Sequence, residues 1–233
     1  MPPNGSQTLL IDLDDTLCEN NVYFERAIAK FISFLNHQEM TVEEVRLVLN
    51  QVERESILTH GYGLHSFAHS LVGCFERLSV EPITDELHRR IWSFAHEIAE
   101  HPLELIDGVP ETLSALSQRN HLIVMTKGDV TEQSAKIERS GLRELFNAVE
   151  IVAEKNKPTY ESIIDKYGLD PERSWMIGNS PKSDINPSLA AGLNAVFIPH
   201  DQTWVLEHEE VSACPDGQRL LVLKRFRQLA QHF

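Results

Sequence analysis

The chain has 233 residues, of which 42% are hydrophobic and 24% are charged, so it can form one large domain or a core domain with a smaller partner. Its formal net charge of -14 disfavours non-specific nucleic-acid binding, so we expect no nucleic-acid partner and a cation or basic side chain wherever an anionic substrate binds. No apolar run reaches about twenty residues, which predicts no membrane span. Residues 1–7 form a polar lead and do not resemble a signal peptide. The three cysteines are dispersed and contain no CxxC pair, which favours a cytoplasmic location.

The first predicted element is a short apolar strand at residues 9–11, which ends in the carboxylates of Asp12 and Asp14. If this strand belongs to an open parallel sheet, its end faces the crevice where such sheets bind ligands. Two carboxylates this close repel each other, and a hard divalent cation such as Mg²⁺ would offset the repulsion. The alternative is that Asp12 starts a turn and the acids after it cap a helix.

Residues 22–101 are predicted to contain helices only, because apolar residues recur there at helical spacing. Thr41 and Glu44 form a capping box before one helix, and Thr84 can cap another. Four such helices in a row predict a small bundle. His65 and His69 lie one helical turn apart within it, and they could bind a metal ion or only share a helix face.

After Leu103 the pattern changes to strands that alternate with helices, ending in a basic helix at the C-terminus. Strands are predicted over residues 122–125, 149–152, 175–178, 195–198 and 220–223. This alternation predicts an α/β fold with a parallel sheet and helices on both faces. Because the helical block interrupts it directly after the first strand, we predict a core domain over residues 1–17 and 104–233 and an inserted all-α domain over residues 18–103.

Polar residues follow the predicted strands at the points where these strands end. They are Thr126, Lys127 and Gly128 after one strand, Lys157 after the next, and Asn179 and Asp184 after the strand at 175–178. Taken singly, Thr126 could cap a helix, Lys157 could be a solvated lysine beside Lys155, and Asp184 could be an N-cap. Because the carboxyl ends of parallel strands meet at one edge of the sheet, their joint placement favours a shared site.

In this order the motifs resemble those of the haloacid dehalogenase-like hydrolase superfamily. The stretch from Asp12 to Thr16 resembles its DxDxT motif, Thr126 and Lys157-Pro158 resemble its second and third motifs, and the stretch from Gly178 to Asp184 resembles its GDSxxxD motif. The helical block lies where this superfamily inserts a type-1 cap. The resemblance, which runs from about Thr8 onward, implies a Rossmann-like core with an all-α cap domain that sets specificity.

The resemblance also implies roles for the motif residues. Asp12 would attack phosphorus and form an aspartyl-phosphate, and Asp14 would act as the general acid and base. Mg²⁺ would be bound by Asp12, Asp184 and the Asp14 backbone carbonyl. Asn179 departs from the superfamily pattern, which often has Asp there, and an amide oxygen would ligate the ion more weakly.

The remaining candidates would hold the substrate. Thr126 and the residues that follow it, Lys127 and Gly128, would bind phosphate oxygens, helped by a helix N-terminus. Lys157 would offset the negative charge of Asp12 and of the phosphate group.

These observations favour a Mg²⁺-dependent phosphatase that hydrolyses a small phosphate monoester, as a monomer or homodimer. The alternatives are a phosphomutase with the same residues, a 2-haloacid dehalogenase, and a catalytically silent binding module. Asp14 argues against a dehalogenase, which does not use a second acid in the first motif. Asn179 keeps the silent module open.

Overall fold

The computed structural model describes residues 6–35, 40–80 and 82–233. Residues 1–5 of the predicted polar lead lie outside this described part of the chain. Within it, the chain divides into two compact units, one made of the residues through Glu19 together with Leu103–Phe233, and one made of Asn20–Pro102. The sequence pattern predicts residues 18–103 for the helical insertion. None of the described helices is long and apolar enough to cross a membrane.

The elements of the two units follow one another in chain order. Those of the described residues are β1 (Thr8–Ile11), α1 (Asn21–Leu35), α2 (Val42–His60), α3 (Leu64–Leu78), α4 (Asp85–Glu100), α5 (Val109–Ser117), β2 (His121–Lys127), α6 (Val130–Arg139), β3 (Ala148–Val152), α7 (Lys157–Tyr167), β4 (Ser174–Gly178), α8 (Asn186–Ala190), β5 (Asn194–Phe197) and β6 (Leu220–Val222).

Six strands of the described chain form one parallel sheet in the order β3-β2-β1-β4-β5-β6. The chain order reverses beside β1, whose neighbours are β2 and β4, so the end of β1 lies at the point where open parallel sheets bind ligands. This Rossmann-like parallel sheet confirms the predicted fold class.

Successive strand residues pack on opposite faces of the sheet, as strand geometry requires. On one face, Leu9 and Ile11 pack with apolar residues of α5, α6 and the C-terminal segment. On the other face, Leu10 packs with Tyr160 and Ile163 of α7. The strands are therefore buried on both sides, which explains why they read as continuous apolar runs rather than as alternating ones.

The helices begin where the sequence supplies capping groups. Asn156 caps α7 by accepting a hydrogen bond from the Thr159 N–H, and Pro158 lies in the first turn of this helix. The C-terminal segment differs from the prediction, because Phe226–Gln231 is a 3₁₀ helix rather than an α-helix. Two of its apolar residues, Phe226 and Leu229, pack into the core beside α5.

The unit Asn20–Pro102 is helical over its described residues, as the apolar spacing predicts. The Thr41 hydroxyl accepts from the Glu44 N–H at 3.2 Å while the Glu44 carboxylate accepts from the Thr41 N–H at 2.8 Å, which completes the predicted capping box. Thr84 caps α4 by accepting from the Leu87 N–H. The helices bury an apolar core of their own, centred on Phe31, Leu71 and Phe94.

Candidate active site

Asp12 lies directly after β1 and is almost completely buried, with 6% of its surface exposed. Its backbone N–H donates to the Ile177 carbonyl of β4 at 2.9 Å, so it is held at the end of two neighbouring strands. One carboxylate oxygen, Oδ1, accepts from the Lys155 ammonium at 2.5 Å. The other, Oδ2, accepts from the Thr16 hydroxyl at 3.0 Å. Both oxygens of Asp12 are therefore oriented by fixed donors.

Lys155 also binds the second buried acid of the site. Its ammonium donates to Asp184 Oδ1 at 2.8 Å, and the backbone N–H of Ser180 donates to Asp184 Oδ2 at 3.0 Å. The structure thus brings Asp12 and Asp184 together on the buried ammonium group of Lys155. Gly178 makes this arrangement possible, because a Cβ at that position would lie 2.2 Å from Asp184 Oδ2.

The burial of these charges changes their acidity. Burial raises the pKa of the Asp12 carboxyl to about 7, with Lys155 opposing the rise and the charge of Asp184 adding to it. For Lys155, burial opposes the charged ammonium, but the two carboxylates outweigh it and raise the pKa above its usual value. One lysine therefore faces two acids, and the centre carries an excess of negative charge that a bound cation would offset.

The prediction for Lys157 is corrected by the structure. Lys157 lies in the first turn of α7 with 55% of its side chain exposed, and its ammonium pairs with Glu161 one turn later at 3.5 Å. Lys155 lies two residues earlier, in the loop after β3, with 2% of its side chain exposed. Because α7 begins at Lys157, after its cap Asn156, the Lys157 side chain is exposed on the helix, and the loop residue Lys155 reaches Asp12 instead.

Asp14 has basic and amide partners that the sequence analysis did not identify. Its carboxylate accepts from the Lys136 ammonium at 2.6 Å and from the Gln133 side-chain amide at 3.0 Å. Both donors lie on α6, three residues apart and so on one face of the helix. This spacing, directly after the strand that carries Thr126, is the signal from which they could have been found.

Asn179 is oriented by hydrogen bonds on both sides of its amide. The Nδ2 group donates to the Thr203 hydroxyl at 3.0 Å, and Oδ1 accepts from the Thr16 hydroxyl at 3.3 Å. The Thr16 hydroxyl has one proton, which it shares between Asp12 Oδ2 at 3.0 Å and the Asn179 amide oxygen at 3.3 Å. The structure therefore brings Asn179 to the site with its oxygen towards Asp12.

The three residues predicted to hold phosphate lie at the end of β2 or just beyond it. Thr126 is buried there and pairs in register with Ile151 of β3. The Gly128 N–H donates to the Val152 carbonyl at 3.2 Å, so it can hold a phosphate oxygen only if this bond breaks. The Lys127 ammonium donates to Glu207 at 2.7 Å and to the Ser183 hydroxyl at 2.8 Å.

Glu207 is a buried acid that the sequence alone does not identify as a site residue, because no local motif includes it. Its carboxylate accepts from Lys127, from the Ser180 hydroxyl at 2.7 Å and from the Ser183 hydroxyl. Burial alone would raise the pKa of Glu207, but Lys127 and the two hydroxyl groups lower it to about 2. Glu207 therefore connects the end of β2 to the segment after β4.

Glu207→Gln is expected to destabilise the protein in a pH-dependent manner. The pKa of Glu207 falls from 4.5 in the unfolded chain to about 2 in the folded one, so its stabilising effect is complete above about pH 4.5 and is lost as the pH falls towards 2. At pH 7 the variant should lose on the order of 3 kcal/mol in the free energy of unfolding, measured by urea titration. The difference from wild type should shrink below about pH 4.5.

The matched control for this experiment is Glu210→Gln, because Glu210 is an exposed acid three residues further along. Its free energy of unfolding should stay within about 0.5 kcal/mol of wild type. Equal stability of Glu207→Gln and wild type at pH 7 would contradict the assigned ion pair.

A second group of ionisable residues lies in the same unit, next to Asp14. Asp15 has a left-handed backbone, with a φ of 58°, and its carboxylate lies 3.9 Å from His200 Nδ1. His200 Nε2 lies 3.3 Å from the Glu19 carboxylate, and the three side chains offer ligand atoms within 4.8 Å of one another. These contacts join the loop after β1 to the segment after β5, and the left-handed conformation of Asp15 is one that aspartate adopts more readily than most residues.

The donors around Asp12 fit a hard divalent cation. Asp12, Asp184 and Asn179 present oxygen atoms, and the two buried carboxylates share one lysine, which leaves negative charge that a cation would neutralise. The set contains two carboxylates and one amide, which is less charge than three carboxylates would supply. Oxygen ligands of this kind suit Mg²⁺ better than softer transition metals.

Comparisons with known proteins match most of the chain. A family model described as haloacid dehalogenase-like hydrolase matches residues 7–192. A crystal structure of a haloacid dehalogenase-like family hydrolase from Xanthomonas campestris superposes with a TM-score of 0.81 and 29% identity, covering 97% of this chain and 94% of that one.

Curated relatives match over part of the chain. Pyrimidine 5′-nucleotidase YjjG of Escherichia coli strain K12 is 32% identical over 130 residues, which is 53% of this chain and 55% of that protein. Glyceraldehyde 3-phosphate phosphatase of Methanothermobacter thermautotrophicus is 32% identical over 136 residues, which is 54% of this chain and 59% of that protein. The chain therefore spans somewhat more than half the length of these relatives.

Proposed function

The chain belongs to the haloacid dehalogenase-like hydrolase family, and from this premise we propose that it is a Mg²⁺-dependent phosphatase that hydrolyses a small phosphate monoester. The observation that carries the proposal is the buried Asp12 carboxylate, whose two oxygens are held by Lys155 and Thr16 beside a second buried acid, Asp184. The relatives at 32% identity are named for small phosphorylated substrates, which supports the same class of reaction.

In the first half of the proposed reaction, a carboxylate oxygen of Asp12 attacks phosphorus and the ester oxygen leaves with a proton from Asp14. This forms an aspartyl-phosphate and the free alcohol. Lys155 holds Asp12 in one orientation and lowers the electrostatic cost of bringing a phosphate dianion to a carboxylate.

In the second half, Asp14 takes a proton from water, whose oxygen attacks phosphorus and releases Asp12 and inorganic phosphate. Lys136 and Gln133 hold the Asp14 carboxylate during this step. Thr126, at the end of β2, is proposed to contact the phosphate oxygens. The same positioned acid distinguishes this chemistry from dehalogenation, which needs no proton donor for its halide leaving group.

Asp12, Asp184, Asn179 and the Asp14 backbone carbonyl are proposed to hold the Mg²⁺ ion. When bound, Mg²⁺ supplies positive charge that stabilises the phosphoryl oxygens. The amide of Asn179 is expected to make binding of the ion weaker than a third carboxylate would. The helical unit Asn20–Pro102, inserted in the chain between the first motif and the rest of the core, is proposed to select the substrate.

The test is a screen for release of inorganic phosphate from sugar phosphates, nucleoside monophosphates and triose phosphates, with Mg²⁺ and with EDTA. The same preparation is assayed for halide release from 2-haloacids. We expect Mg²⁺-dependent phosphate release from at least one monoester and no halide release. Halide release, or phosphate release that EDTA leaves unchanged, would contradict the proposed reaction.

A further inference from the structure

Three histidines come together where α2 turns into α3, within the helical unit. His60 is the last residue of α2, and His65 and His69 lie in the first turns of α3. Gly61 and Gly63, with φ values of 72° and 122°, adopt backbone conformations that favour glycine and reverse the chain between the two helices. The turn therefore places the end of one helix beside the start of the next.

The imidazole rings are close enough to share one ion. Each of the three side chains offers a ring nitrogen, and these nitrogens all lie within 4.8 Å of one another. His65 and His69 are four residues apart on one helix face, with ring centroids separated by 4.6 Å. This is the spacing at which paired histidines on a helix bind zinc. His60 stacks on His69 with a centroid distance of 4.3 Å and supplies the third nitrogen.

The rings are supported from α4. Trp92 packs edge-on against both His65 and His69, with centroid distances of 5.3 Å in each case. His88 stacks on the same indole from its own helix at 5.6 Å. This packing restricts the rotamers of the α3 histidines, so less conformational entropy is lost when a ligand fixes them.

The chemistry of the cluster selects the kind of ion. Metals bind the neutral form of imidazole, which an unperturbed histidine adopts above about pH 6.5. Nitrogen ligands without a carboxylate suit Zn²⁺, Cu²⁺ or Ni²⁺ and disfavour Mg²⁺ and Ca²⁺. Three imidazoles with exposed positions at His60 and His65 leave room for water as a fourth ligand.

We propose that His60, His65 and His69 form a binding site for one transition-metal ion, which is Zn²⁺ under physiological conditions. The nitrogen ligands of this site differ from the oxygen ligands of the site around Asp12. The ion links the end of α2 to the start of α3 and so stabilises the turn between them. The proposal does not depend on the phosphatase assignment, because it uses none of the residues around Asp12.

The test measures Zn²⁺ binding to the full chain by isothermal titration calorimetry in excess Mg²⁺, so that the oxygen site is saturated. The variants are His65→Gln/His69→Gln and, as a control with the same number of histidines removed, His208→Gln/His232→Gln in the other unit. We expect wild type and the control to bind about one equivalent of Zn²⁺ and the His65→Gln/His69→Gln variant to lose this binding. Circular dichroism verifies that all three proteins are folded.

A spectroscopic readout identifies the ligands independently. Cu²⁺ bound to wild type should show hyperfine splitting from imidazole nitrogens in electron paramagnetic resonance, and this splitting should disappear in His65→Gln/His69→Gln. Equal Zn²⁺ binding by the two folded double variants, or a Cu²⁺ spectrum without nitrogen splitting, would overturn the proposal.

Discussion

Lys155→Ala is expected to lower kcat for hydrolysis of the phosphate monoester by about 100-fold or more, whereas Lys157→Ala should stay within about twofold of wild type. Lys155 is buried against the carboxylates of Asp12 and Asp184, and its removal leaves two acids without their shared cation. The Lys157 ammonium pairs only at the surface, with Glu161. Steady-state phosphate release by the two purified variants measures the difference.

The two lysines form a matched pair, because they lie two residues apart and differ in burial. Removing a buried cation also destabilises the fold, so the activity of Lys155→Ala is compared at a temperature where circular dichroism shows it folded. Lys155→Arg, which keeps the charge, should recover part of the loss if charge is what matters. Equal loss of activity in Lys155→Ala and Lys157→Ala would show that the structural assignment is wrong.

Asp12→Asn is expected to lower kcat by about 10⁴-fold, because an amide oxygen cannot serve as the nucleophile towards phosphorus. Its effect on stability should have the opposite sign to that of an ordinary buried substitution. The change removes one of two acids that share Lys155, and burial already raises the pKa of Asp12 to about 7. We therefore expect the free energy of unfolding at pH 7 to stay equal to that of wild type or to rise.

The control for Asp12→Asn is Asp201→Asn, the same chemical change at an exposed position. It should leave kcat and the free energy of unfolding close to wild type. Comparable phosphate release by Asp12→Asn and wild type would show that another group attacks phosphorus.

Much of the fold follows from local patterns in the sequence. Strands β2 and β4 are continuous apolar runs because both faces of the sheet are covered. The helices α1 to α4 of the unit Asn20–Pro102 show apolar residues at helical spacing, and Thr41 and Thr84 provide N-caps for two of them. The C-terminal segment was predicted less well. Phe226 and Leu229 of this 3₁₀ helix pack beside α5. Such a tertiary contact cannot be predicted from the local helix propensity of the segment.

The site is predictable to the extent that its residues end strands. Asp12 and Asp184 come together because the carboxyl ends of β1 and β4 are adjacent in the sheet. The choice between Lys155 and Lys157 is different, because both follow β3 and only the direction of the chain at the start of α7 decides which one is buried. Glu207 reaches Lys127 across 80 residues of sequence, and no local pattern reports such a contact.

The central claim is that Asp12 becomes covalently phosphorylated, and borohydride trapping during turnover tests it most directly. Borohydride reduces an aspartyl-phosphate to homoserine and leaves a free carboxylate unchanged, and mass spectrometry of peptides locates the reduced residue. We predict homoserine at position 12 when substrate and Mg²⁺ are both present, and none when EDTA is added. Unmodified Asp12 during active turnover, or homoserine at another acid, would contradict the account.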